Sequence, residues 1–124
     1  MKYEAEHGAD LRLRTIDFSV RVVKVFSALP TGRPAQIMGE QLLRSATSVG
    51  AHYREAVRAK SSADYISKMQ GALQELDESA YWMELLVACQ IMPEKKLRLL
   101  MQETNELIAI LTAIQKKVKK RLAA

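Results

Sequence analysis

Apolar residues recur along this 124-residue chain at steps of three and four, which is helical period rather than strand alternation. Three breaks divide the pattern into four segments: Pro30 to Pro34, Ala59 to Ser62, and Met92-Pro93. In segment one, about Leu11 to Leu29, Phe18, Val22, Phe26 and Leu29 share a face, and Arg14 and Arg21 share another with Lys24 close by. In segment two, about Ala35 to Ala59, Met38, Leu42, Ala46, Val49, Tyr53, Ala56 and Val57 fall on one side. Arg44, Thr47, Ala51, Arg54 and Arg58 fall opposite. The middle of this segment is rich in small residues, and Gly50 among them sacrifices about 1 kcal/mol of helix propensity, which a close helix or subunit contact would explain.

Segment three, about Ser62 to Ile91, opens with Ser61 and Asp64 at capping-box spacing. Ile66, Met69, Leu73, Leu76, Ala80, Met83 and Val87 then form an a/d seam over three heptads. Trp82, Leu85 and Cys89 lie off that seam as a second apolar face, and a helix apolar on two sides needs two partners. Segment four starts at Pro93, whose missing N–H is harmless in a first turn, and Glu94 suits the positive helix end. Leu97, Leu100, Thr104, Leu107, Leu111, Ile114 and Val118 make its seam, widened by Met101, Ile108 and Ile110. The expected fold is an all-α, antiparallel up-down four-helix bundle over residues 11–124, preceded by a loose polar arm over residues 1–10.

Composition narrows the class without naming an activity. A single cysteine leaves no intrachain disulfide and fits a reducing, cytoplasmic setting. No apolar run approaches the roughly 18 residues that would span a bilayer, and residues 1–10 lack the apolar stretch of a signal peptide, so no membrane partner is expected. Catalytic and metal groups are sparse. The one E-x-x-H pair, Glu4 and His7, lies in the expected arm, and the chain has no phosphate-binding glycine loop. Cys89 paired with His52 as a nucleophile competes with Cys89 as a small apolar packing residue, and packing is favoured. No enzyme, no metal and no cofactor is expected.

The net charge is +5, and two constellations concentrate it. Arg44, Arg54 and Arg58 fall within an arc of about 80° on segment two, with small Thr47 and Ala51 between them, so a bulky anion has room to approach. Lys116, Lys117, Lys119, Lys120 and Arg121 form a C-terminal run able to hold a nucleic-acid backbone without sequence choice. For each, an ordinary solvated surface is the competing reading. A third cluster, Glu75, Glu78, Tyr81, Trp82 and Glu84, is read as an interface whose acids pair with arginines of a neighbouring helix.

The stretch from Gln41 through Arg44, Ser45, Ala46, Thr47, Ser48, Val49, Gly50, Ala51, His52, Tyr53 and Arg54 to Ala56 resembles the signature of the four-helix-bundle proteins encoded in 23S rRNA intervening sequences. Ala63-Asp64-Tyr65-Ile66-Ser67-Lys68, Glu75, Glu78, Tyr81-Trp82 and Glu84-Leu85 extend the likeness over Leu11 to about Ile114, with His52 where the family more often has Asn. The resemblance implies a homo-oligomer, pentameric in the family, and similarity to the accessory protein of diversity-generating retroelements, which binds nucleic acid and a reverse transcriptase. It implies no catalytic residue. The expectation is therefore a non-enzymatic, oligomeric protein that binds RNA or DNA through Arg44, Arg54, Arg58 and the C-terminal run without strong sequence specificity. Gly50, Trp82, Leu85 and Cys89 are its expected subunit contacts. The alternative is a purely structural or protein-binding module with an incidental basic surface.

Overall fold

The computed structural model describes the backbone of residues 2–123 and the side chains of residues 10–123. Four helices follow in order: α1 (Lys2–Ala28), α2 (Arg33–Val57), α3 (Ser62–Ala88) and α4 (Glu94–Ala123). Connections of four or five residues leave sequential helices antiparallel, and α2 and α3 share the most extensive contact. The contact between α1 and α4 is slight. It is braced by Arg14, whose Nη2 and Nε donate to the two carboxylate oxygens of Glu103 at 2.6 and 3.2 Å. Among the described residues no helix is long and apolar enough to cross a membrane.

The helix ends follow local chemistry. Ser61 caps α3 by accepting from the Asp64 N–H at 3.1 Å, as its spacing predicted. At the other end Ile91 N–H reaches back to Leu86 O at 3.0 Å, and Gln90 N–H to Val87 O at 2.9 Å. That is a Schellman termination, with Gln90 in the left-handed region at φ 59° where glycine is usual. It ends α3 at Ala88, three residues before the expected boundary. Helix α1 begins at Lys2, so residues 2–10 continue the first helix instead of forming a loose arm. Polarity argued for the arm. Yet a polar stretch without proline need not unwind.

The core matches the apolar pattern on α4, where all seven seam residues are buried. On α3 the buried line is Tyr65, Met69, Ala72, Leu76, Ser79, Met83 and Leu86. It shares Met69, Leu76 and Met83 with the expected seam but turns by one residue at the other positions. Ile66, Leu73, Ala80 and Val87 are left half-buried. The shift brings Ser79 onto Ser45 of α2, oxygen to oxygen at 2.9 Å, and small side chains at that crossing let the two helices approach closely.

Candidate nucleic-acid interface

The candidate basic residues separate into two groups. Arg44 turns toward α3: its Nη2 donates to Glu78 Oε2 at 2.9 Å, and its Nη1 lies 3.6 Å from Glu75 Oε2. This is the acid–arginine pairing expected of the Glu75–Glu84 cluster. The Glu75 carboxyl is held above its usual range, first by burial and then by the charge of Glu78, with Arg44 pulling the other way. A guanidinium between two carboxylates has little left for a phosphate. Arg54 and Arg58, three and four helical turns along α2, are exposed and face α1 instead.

Arg54 and Arg58 stand on the rim of a groove of about 590 Å³ between α1 and α2. Ile16, Val20 and Val23 form its α1 side and Thr47, Gly50 and Ala51 its α2 side, with Arg12 on the opposite rim. Gly50 makes the close contact expected of it within the chain: a Cβ there would lie 3.3 Å from Thr15 Oγ1. A short bridge from Ser19 Oγ to Ala46 O at 3.2 Å holds the same helix pair together. The groove is apolar because α1 is apolar on two sides. Leu11, Phe18 and Val22 are buried, while Leu13, Ile16, Val20 and Val23 remain 45–61% exposed.

The second apolar face therefore belongs to α1 more than to α3. Trp82 and Leu85 are half-buried, Trp82 packs on the chain's own core, and Cys89 is exposed at the C-cap. The signal was present in the sequence as Leu13, Ile16, Val20 and Val23, at steps of three, four and three.

Cys89 and His52 are not brought together. His52 packs over Gly71, where a Cβ would meet its Nδ1 at 3.1 Å, and Cys89 lies eighteen residues further along α3, about 27 Å at helical rise. Glu4 and His7 lie outside the described side chains. No three His, Cys, Asp or Glu side chains gather into a metal-sized group among the described residues.

The run Lys116, Lys117, Lys119, Lys120 and Arg121 is exposed along the last turns of α4. Gln115 fixes its height by donating from Nε2 to Ile66 O at 2.8 Å, early in α3. Up-down topology thus places the C-terminal turns of α4 at the same end as the C-terminal turns of α2. The half of the bundle made by residues 2–18, 48–74 and 109–123 holds twelve Lys and Arg against six Asp and Glu. The other half, residues 19–47 and 75–108, holds seven against eight. Two basic stretches some sixty residues apart in sequence therefore make one cationic end. Its described aromatic side chains, Phe18, Tyr53 and Tyr65, are all buried.

Comparison with known proteins agrees with this architecture. A crystal structure of a protein with unknown function from the S23 ribosomal protein family of Bacteroides thetaiotaomicron is 34% identical, over 85% of this chain and 97% of that one, with a TM-score of 0.80. No functionally curated protein matches. The family model for the 23S rRNA-intervening sequence protein matches residues 10–113. The chain, four helices and signature stretch alike, belongs to the 23S rRNA-intervening sequence protein family.

Proposed function

We propose that this protein is a non-enzymatic, homo-oligomeric binder of nucleic acid that grips the phosphate backbone with its cationic end. The observation that carries the reading is the segregation of charge: twelve cations against six anions in one half of the bundle, near balance in the other. Basic side chains on helix faces read phosphates rather than base edges, so sequence preference is slight. With Phe18, Tyr53 and Tyr65 buried, base stacking contributes little from the described surface. Of the candidate residues, the Lys116 to Arg121 run fits this role; Arg54 and Arg58 rim the α1–α2 groove at the same end, and Arg44 serves the α2–α3 contact. One copy offers few phosphate contacts. Several copies joined together repeat the end and bind at high effective concentration.

Replacing Lys116, Lys117, Lys119, Lys120 and Arg121 with Gln tests the reading. For every phosphate no longer neutralised, the salt dependence of duplex binding flattens by about 0.9 log units per log of salt. The variant should keep its helicity, bind more weakly and show a shallower slope. Absence of RNA and DNA retention by the unaltered protein at low salt would refute the reading. The protein-binding alternative has its own support in the exposed apolar stripe of α1.

A further inference from the structure

We infer that the α1–α2 groove is the seat for the outer face of α3 from a second copy of this chain. The inference rests on the homo-oligomeric part of the function proposed above and says which surfaces meet.

The groove has a definite chemistry. Its floor is apolar and β-branched, with Ile16, Val20 and Val23 each about half exposed. Thr47, Gly50 and Ala51 keep its α2 wall low, so a helix can lie close. At one end its rims carry Arg12, Arg54 and Arg58, with Glu55 between the last two and its carboxylate beside His52 and Lys68. An occupant therefore needs a narrow face with a large apolar or aromatic centre and a carboxylate to one side of it.

The chain presents such a face itself. On α3 the residues opposite the buried line are Gln74, Asp77, Tyr81, Glu84 and Ala88, at steps of three and four. Tyr81 is 55% exposed, held edge-on against Trp82 with ring centres 5.0 Å apart, and so is braced as it projects. Asp77 and Glu84 flank it, both exposed. Glu78 is engaged by Arg44 and is not needed. From Leu13 to Val23, and from Gln74 to Glu84, is ten residues each, about 15 Å of helix on either side of the seam. Tyr81 fits the floor, and of Asp77 and Glu84, which lie on opposite sides of it along the helix, one falls at the arginine end of the groove.

The pairing is heterologous, because groove and face are different surfaces of one chain. Each copy then uses its groove for one neighbour and its α3 face for another, the arrangement that closes into a ring when the rotation permits. Both surfaces lie outside the buried core, so substitution there changes assembly and leaves the fold in place.

The test uses the full-length protein with two single variants, Val20→Asp and Tyr81→Asp. Mass is measured by light scattering at micromolar concentration, with helicity and melting followed alongside. The unaltered protein should be an oligomer, and each variant alone a folded monomer. Val20→Asp keeps an intact α3 face and Tyr81→Asp an intact groove, so a one-to-one mixture should give a dimer and nothing larger. Val20→Gln and Tyr81→Gln, without the introduced charge, should show weakened assembly and guard against misfolding of the Asp variants. A monomeric unaltered protein, a variant that assembles normally, or two folded monomers that fail to pair on mixing would each overturn the inference. An oligomer with this behaviour that retains no nucleic acid would leave it standing while removing the nucleic-acid reading.

Discussion

The α2–α3 crossing makes a quantitative prediction through Ser45 and Ser79. Both are fully buried, with their oxygens 2.9 Å apart. Ser79 Oγ lies 2.8 Å from the Glu75 carbonyl, and Ser45 Oγ 3.2 Å from the Leu42 carbonyl. Two hydroxyl protons thus face three acceptors. The short distances favour Ser79 donating to Glu75 O and Ser45 donating to Ser79. In Ser79→Ala, Ser45 can turn back to Leu42, so the loss should be small, about 0.5 kcal/mol. In Ser45→Ala, the Ser79 oxygen loses its donor in a dry site, and the loss should be about 1 kcal/mol. Replacing both removes the unmet need along with the bond and leaves two methyl groups of similar volume, so the double variant should be no less stable than Ser45→Ala alone. The cycle then yields a coupling of about 0.5–1 kcal/mol. Urea unfolding followed by circular dichroism measures it, at one fixed protein concentration because assembly adds a concentration-dependent contribution. Strict additivity, with the double variant losing the sum of the singles, would show that the two hydroxyls do not depend on each other.

Two further outcomes follow from the geometry. The Glu75 carboxyl is held above its usual range by burial and by Glu78, so the folded state prefers it protonated. Its favourable contribution is complete at acid pH and is lost as pH rises through the folded-state value. Glu75→Gln should therefore gain stability relative to the unaltered chain on going from acid to neutral pH, and parallel urea midpoints across that range would contradict this. Gln90, at φ 59° in the Schellman turn, bears a left-handed strain that glycine does not. Gln90→Gly should stabilise by about 0.5–1 kcal/mol after the greater freedom of glycine in the unfolded chain is allowed for, and an unchanged or lowered melting point would count against it.

How far the sequence carried differs from helix to helix, and the reason is physical. On α4 every seam residue is an aliphatic or a threonine at regular spacing, and all seven are buried. On α3 the line passes through Tyr65 and Ser79, which a pattern of apolar residues discounts. Ser79 is buried because Ser45 meets it, and nothing local to α3 announces that partner. The arc of Arg44, Arg54 and Arg58 was visible as an angle around one helix. Its division was not, because Glu75 and Glu78 draw Arg44 to one side from another helix. The exposed stripe of α1 was legible as spacing. Its exposure depends on where α2 seats against α1, at Thr15 and Ser19, which no single-helix pattern contains.

The groove and the cationic end have opposite relations to charge, and that decides how they act together. In the inferred assembly, one of Asp77 and Glu84 of one copy meets the end of the groove that carries Arg12, Arg54 and Arg58 of the next. Of the end run on α4, Lys116 and Lys119 border the seam, because they line the α3–α4 groove with Gln74 and Asp77, while Lys120 and Arg121 lie beyond it toward the end of the helix. Assembly thus withdraws an acid of the near-neutral half and arginines of the groove rim from solvent, and leaves the tips of α4 as the dominant field. The two contacts also respond differently to salt. Phosphate binding at exposed lysines is ionic throughout and falls steeply as counterions compete. The seam buries Ile16, Val20, Val23 and Tyr81, and apolar burial is not screened. Rising salt should therefore strip nucleic acid from the oligomer before it separates the copies, whereas a seam held only by its arginine rims would come apart first.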